Sequence, residues 1–327
     1  MNADPILAAD HLLSQGRKAE AAALVARAAA NGDAKALFQQ GLWLLAGQVV
    51  PRDISAARAA FIKAAHAGHS EARLVTASLA ANGTGAPPDW AGALRTLRSA
   101  DAANDQYARH LLSLLARMSL TAEGSPTTLP LITPLTADGT IGRVTSLLTT
   151  EECGHIANSV ADMLAPSSVV DPVTGCLIQH PVRTSDAAVV SPVREDPVLR
   201  AINQRIAAVS KTDVRQGEAL TILRYLPGQQ FRLHADTLPG VRNQRVMTVI
   251  LYLNDSFEGG ETVFPLHDLR IVPRAGDALI FDNVDASGQA LAQARHAGDP
   301  VTRGVKWIAT RWIRARPFDV WQGPESV

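Results

Sequence analysis

The stretch LRYLPGQQFRLHAD, residues 223–236, closes on a His-x-Asp triplet. It follows a run whose leucines, tyrosine and phenylalanine read as strand broken by the Pro227–Gly228 turn. In an extended chain, residues i and i+2 share a face, so His234 and Asp236 project together while Ala235 points away. Two such side chains make an incomplete set of metal ligands, and a third has to come from another part of the chain. His296, at the head of RHAGDPVTRGVKWIATRWIR (295–314), is the candidate. Taken alone, a His-x-Asp triplet fits ordinary hydrogen-bonded polar residues equally well.

The residues after His296 add weight to the metal reading. KWIATRWIR reads as a strand, and alternation places Lys306, Ile308, Thr310 and Trp312 on one face. A lysine turned into an interior needs an anion beside it, because an unpaired buried ammonium costs several kcal/mol. Two imidazoles and one carboxylate leave three positions of an octahedral metal open, the arrangement of non-haem Fe(II) oxygenases. The distal carboxylate of 2-oxoglutarate would be the anion for Lys306.

Outside this region the composition is that of a globular protein, with 46% hydrophobic and 19% charged residues among 327. That length favours about two domains. Lysine plus arginine and aspartate plus glutamate each number 31, so no overall charge points to nucleic acid or to anionic lipid. The opening MNADPILAADHLLSQGRKAEAAA lacks the basic start and apolar core of a secretory signal. No apolar run reaches the roughly 20 residues of a membrane span. Cys153 and Cys176 form no CxxC pair. These features together predict a cytoplasmic protein without a membrane partner.

The chain divides by texture. Residues 1–121 are rich in alanine, 122–139 (AEGSPTTLPLITPLTADG) read as a linker, and 140–327 alternate β-formers with glycine and proline turns. In the first part Gly32, Gly47, Asp53 and Ala57 recur 36 residues later as Gly68, Gly83, Asp89 and Ala93. Ala36, Ala72 and Ala108 continue the register. A period of this size signals stacked helical hairpins that bury their apolar faces only against their neighbours. AKALFQQGLWLLAG and DISAARAAFIKAAHAG are the two helices of one unit, with Asp53 and Asp89 as N-caps and with Phe61 and Leu97 at equivalent core positions. The pattern over residues 15–118 resembles the Sel-one-like, tetratricopeptide-related repeats. Chance periodicity in an alanine-rich bundle is the plainer alternative.

LRYLPGQQFRLHAD, QRVMTVILYLNDSFEGGETVFP (244–265), RAGDALIFDN (274–283) and the 295–314 segment, in that order and spacing, resemble the prolyl 4-hydroxylase-like 2-oxoglutarate/Fe(II) dioxygenases. The resemblance covers residues 140–318. It implies a multidomain α and β protein in which the helical repeat solenoid precedes a double-stranded β-helix, a jelly-roll, oxygenase domain. It further implies that His234, Asp236 and His296 bind Fe(II) and that Lys306 pairs with the C5 carboxylate of 2-oxoglutarate. Tyr225 and Thr262 match positions that hydrogen-bond the same carboxylate. Tyr252 is either a further member of that pocket or a core aromatic. Gly259, Gly260 and Gly276 read as turn glycines, and His180 and His267 as surface or structural residues.

The implied reaction is oxidative decarboxylation of 2-oxoglutarate to succinate and carbon dioxide, coupled to hydroxylation, with ascorbate as reductant. Arg183, Ser185, Glu218, Arg245 and Trp312 match residues lining the family's peptide groove, Trp312 as a platform for a proline ring. For Arg183 and Glu218 a surface ion pair or loop anchor is the competing reading. Two positions depart from the family: Phe231 stands where a tyrosine is frequent, and Arg314 where some members have histidine. The segment 167–186 is a candidate lid. A peptide or protein hydroxylase acting at proline, with the repeats recruiting the polypeptide, is the leading expectation. Its rivals are an oxygenase of a small molecule or free amino acid whose repeats serve oligomerisation, and a catalytically silent scaffold. Nucleic-acid demethylation would call for an arginine in place of Lys306 and a basic groove.

Overall fold

The computed structural model describes residues 4–170, 177–179 and 182–321, and for residues 169–170 and 177–179 only the backbone. Cys176 and His180 lie outside the described residues. The chain forms two compact units, one of Met1–Ser125 with Pro192–Ile202, the other of Pro126–Ser191 with Asn203–Val327.

Among the described residues up to Ser125, seven helices follow one another: Pro5–Ser14, Lys18–Ala30, Ala34–Ala46, Ile54–His66, Ser70–Asn82, Trp90–Ala102 and Gln106–Leu115. Each packs against the next in sequence, as a solenoid of hairpins does. The 36-residue period has a physical meaning at each position. Asp53 and Asp89 cap their helices by accepting from the backbone N–H of Ala56 and Gly92. Gly47 and Gly83 end the preceding helices in the left-handed conformation, with φ of 71° and 80°. Phe61 and Leu97 are both fully buried. Gly41 is required by packing, since a Cβ there would lie 2.6 Å from the Phe61 ring. Among the described residues, no helix is long and apolar enough to cross a membrane.

The second unit is built around the two largest of its antiparallel sheets, with two two-stranded pairs beside them among the described residues. The larger runs, edge to edge, Ile132–Pro134, Ile141–Val144, Ala278–Asp282, Arg245–Tyr252, Lys306–Arg314, Thr221–Tyr225, Asp186–Val189 and Ala165–Pro166. The smaller runs Leu269–Ile271, Thr262–Phe264, His296–Gly298, Phe231–His234. Side chains from both close one core: Leu223, Ile250, Leu279 and Phe281 from the larger sheet meet Phe264 and Ile271 from the smaller. Phe264 and Phe281 bridge the sheets edge to face, with centroids 5.1 Å apart. This is the expected double-stranded β-helix.

Two features differ from the sequence expectation. Ile132–Pro134 lies within the stretch expected to link the domains, yet it pairs with Ile141–Val144 as an edge strand. Its residues are all exposed, so no burial pattern marked it, and Pro134 at an edge leaves no ladder bond unmade. In addition, Pro192–Ile202 groups with the helical unit, so the units are not consecutive in sequence. In the candidate lid, Ser168–Val170 pairs with Leu177–Gln179, and residues 171–176 lie outside the described residues.

Candidate metal centre and substrate groove

Strand register brings the triad together. His234 and His296 stand opposite each other on neighbouring strands of the smaller sheet, and Asp236 follows directly after His234's strand. Donor atoms of the three lie within 4.8 Å of one another. His234 Nε2 is 3.6 Å from Asp236 Oδ1, and His296 Nε2 is 3.9 Å from Oδ2. Each imidazole turns its other nitrogen to a backbone carbonyl, His234 Nδ1 to Arg232 at 2.8 Å and His296 Nδ1 to Ala294 at 3.0 Å. Those contacts place the proton on Nδ1 and leave the Nε2 lone pairs facing the carboxylate. Burial lowers His296 to about 4 and so keeps it neutral, as a ligand must be. Burial alone would raise Asp236, but His234, His296 and the Thr248 hydroxyl outweigh it and hold the carboxyl well below its usual range. Two imidazoles and one carboxylate make a donor set that fits a divalent first-row metal such as Fe(II).

Behind Asp236 stands a relay that the sequence did not reveal. Thr248 donates to Asp236 Oδ2 at 2.7 Å, and Asn283 Nδ2 donates to the Thr248 hydroxyl at 2.9 Å. All three residues are buried. The one available signal was a threonine inside the apolar run VMTVILYL, a polar group that needs a partner wherever it is buried.

The strand Lys306–Arg314 puts Lys306, Ile308, Thr310 and Trp312 into one inner pocket, as alternation predicted. Lys306 sits opposite Tyr225 in register, and its ammonium lies 5.3 Å from that ring's centroid. It is 3% exposed, donates to the Gly260 carbonyl at 2.6 Å, and is lowered by burial to about 8. Gly259 and Gly260 both adopt positive φ in the turn before Thr262. A Cβ on Gly260 would come within 3.1 Å of the Lys306 chain. Tyr225 and Thr262 line the same pocket, and burial pushes the Tyr225 phenol up to about 12, so it remains a donor. Tyr252 is buried in the cluster between the sheets, and its hydroxyl donates to the pocket residue Thr262 at 2.9 Å, which orients Thr262. Gly276 is in a tight turn with φ of 84°. His267 ends a short 3-10 turn away from the triad.

An open groove of about 860 Å³ meets this pocket. Phe231, His234, Asp236 and Trp312 line both. Arg183, Glu218 and Arg245 line the groove as well, with Met163, Leu238 and Phe318 as apolar lining not foreseen from the sequence. Ser185 and Arg314 do not line it. Ser185 is fully buried against Ser167, their hydroxyls 3.1 Å apart, and Arg314 is 1% exposed beneath Glu218. The Arg245 guanidinium lies 3.9 Å from the Trp312 ring centroid, so one face of that indole is already taken. Phe231 stacks on His234 at 3.5 Å between centroids, where a hydroxyl would add nothing to the contact.

Residues 220–314 match the model of the 2OG-Fe(II) oxygenase superfamily. Prolyl 4-hydroxylase 1 of Arabidopsis thaliana is 35% identical over 188 residues, 52% of this chain and 66% of the relative. Prolyl 4-hydroxylase 5 of the same plant is 32% identical over 199 residues, 54% of this chain and 68% of the relative. The chain belongs to the prolyl 4-hydroxylase family of 2-oxoglutarate/Fe(II)-dependent dioxygenases. It spans about two thirds of the length of these curated relatives. The prolyl 4-hydroxylase match does not extend over the whole chain. A crystal structure of a Sel1 repeat protein from Oxalobacter formigenes is similar over 30% of this chain and 29% of its own, at 32% identity and a TM-score of 0.28.

Proposed function

We propose that this prolyl 4-hydroxylase relative hydroxylates a prolyl residue of a peptide or protein, with 2-oxoglutarate consumed and succinate and carbon dioxide formed. The observation that carries this is that His234 and Asp236 line both an inner pocket, which His296 and Lys306 also line, and an open groove. A cosubstrate in the pocket and an extended chain in the groove reach the same metal from two sides. In this reading His234, Asp236 and His296 hold Fe(II), and Lys306, Tyr225 and Thr262 donate to the C5 carboxylate of 2-oxoglutarate. When bound, iron and 2-oxoglutarate supply the oxidising power for C–H hydroxylation.

The chain's own residues bind and orient. The Thr248–Asn283 relay fixes the Asp236 carboxylate, and the carbonyls of Arg232 and Ala294 fix the two imidazoles. Phe231 and Trp312 keep water from the junction, Arg183 and Arg245 offer donors to a peptide backbone, and Glu218 holds Arg245 in place. Ascorbate serves as reductant in this proposal. The helical repeats recruit the polypeptide, using an apolar cleft lined by Val25, Trp43 and Leu44. A cytoplasmic setting belongs to the same proposal.

The test is succinate formation from 2-oxoglutarate with Fe(II) and ascorbate under air, with and without proline-containing peptides, using Asp236→Ala as the blank. Peptide-stimulated succinate with a matching one-oxygen mass gain is the expected result. Succinate that no peptide stimulates, together with oxygen gain in a small amino acid, would replace this reading with the small-molecule one.

A further inference from the structure

Arg314, a departure from the family at the sequence level, lies in register opposite Arg245 on the neighbouring strand. Like charges at such a position repel unless something stands between them. Here Glu218 does. Arg245 Nε and Nη2 donate to its two oxygens at 2.6 and 2.9 Å, and Arg314 Nε lies 2.6 Å from Oε1. Arg314 also donates to the Asn243 carbonyl at 2.7 Å, which fixes the guanidinium in place. One carboxylate therefore answers two guanidiniums, Arg245 in the groove wall and Arg314 buried beneath it. Arg183 brings a third guanidinium to the same groove, its Nε 3.1 Å from the Ser167 hydroxyl. Among the described residues, the other acidic group lining the groove, Asp236, is turned to the two imidazoles.

Arginine stays charged even when buried. With Asp236 committed to the metal, the wall beside Trp312 holds a fixed excess of positive charge in a chain whose formal net charge is zero. Glu218, doubly paired, is no longer an open acceptor for cations arriving with the substrate. We propose that this groove selects an extended peptide bearing an aspartate or glutamate side chain beside the residue hydroxylated, and that Arg314 is the residue that sets this preference. It acts through Glu218 and Arg245 and is a positioning residue. This deepens the peptide reading above and rests on it.

The test uses the full chain and N-acetylated, C-amidated proline peptides carrying Glu, Gln or Lys within two positions of the proline. One-oxygen mass gain gives kcat/KM, and fluorescence anisotropy of labelled peptides gives affinity. The glutamate peptide is expected to exceed the glutamine peptide by about tenfold in both, with lysine the poorest, and the gap is expected to narrow as salt rises. Arg314→Gln should shrink the Glu-to-Gln ratio, and Arg314→Lys should restore part of it. The peptide series on the unmodified chain stands even if the Arg314 variants fold poorly. Equal turnover and affinity across the three peptides overturns the charge preference alone. A preference seen only with peptides that keep a free C-terminal carboxylate overturns its side-chain source. Absence of oxygen gain in every peptide, with 2-oxoglutarate still consumed, overturns the peptide reading and the preference together.

Discussion

Asp236 shows how one residue depends on others far away in sequence. Its carboxylate takes a hydrogen bond from Thr248, which takes one from Asn283. Thr248→Val should therefore weaken metal binding by about 10- to 100-fold. Asn283→Ala should have a smaller effect that largely disappears in the Thr248→Val background, because both act through one hydroxyl. Co(II) or Mn(II) titration reads this, Thr248→Ser should restore most of the affinity, and unchanged dissociation constants would make the relay a packing feature only. Lys306 makes a pH prediction. Burial lowers it from lysine's ordinary 10.5 to about 8. Only the ammonium pairs with a carboxylate, so 2-oxoglutarate affinity should be level below about pH 8 and then fall about tenfold per unit above it. The ligand-free fold has the opposite sign: it releases the lysine proton more readily than the unfolded chain does, and gains stability between about 8 and 10.5. A 2-oxoglutarate affinity independent of pH across that window would remove Lys306 from the pocket's binding role. The triad and Lys306 were legible in the sequence because ligand chemistry restricts the residue types and strand alternation fixes their faces. Asn283 was not, since its partner is set by pairing between strands 35 residues apart.

Among the elements, the helices were the easier to read. Their alanine content, Asp N-caps and C-terminal glycines all agree with one another, and local agreement of that kind specifies a helix without reference to the rest of the fold. Asp53→Ala and Asp89→Ala should each cost ~1 kcal/mol of helical-unit stability. The two losses should nearly add, because the caps serve different helices and share no hydrogen bond. Urea unfolding followed by far-UV circular dichroism measures both, and Asp→Ser at either site should recover most of the loss. No shift in midpoint would show that these caps fray in solution. Strands carry less local information. Ile132–Pro134 has three exposed residues, one of them a proline, and only its pairing with Ile141–Val144 makes it a strand. Tyr252 was ambiguous for a related reason: a strand aromatic reads the same whether it faces a pocket or the core, and here the ring lies in the core cluster while its hydroxyl reaches the pocket residue Thr262.

At the scale of the whole molecule, the change of texture near residue 122 suggests a single cut between two halves, but the helical unit also includes Pro192–Ile202. Two hydrogen bonds tie that segment to the helices: Asn82 Nδ2 donates to the Pro192 carbonyl at 2.8 Å, and the Tyr107 hydroxyl donates to Asp196 Oδ2 at 3.0 Å. Burial and the neighbouring Asp196 carboxylate raise the phenol's pKa, so it stays a donor over the whole working pH range. Asp196 in turn accepts from the backbone N–H of Val198 and Leu199 and caps the helix Pro197–Val209, whose first turns are buried. A chain cut to residues 126–327 strips these partners away while leaving that cap to hold the helix alone. We expect the truncated chain to melt several degrees below the full chain, and Tyr107→Phe in the full chain to reproduce part of the drop, on the order of 1–2 kcal/mol for a hydrogen bond to a charged group. Differential scanning calorimetry with Mn(II) and 2-oxoglutarate present makes the comparison. Equal melting temperatures would mean that Pro192–Ile202 holds its fold without the repeats, and only then would truncation be a clean test of whether the repeats recruit substrate.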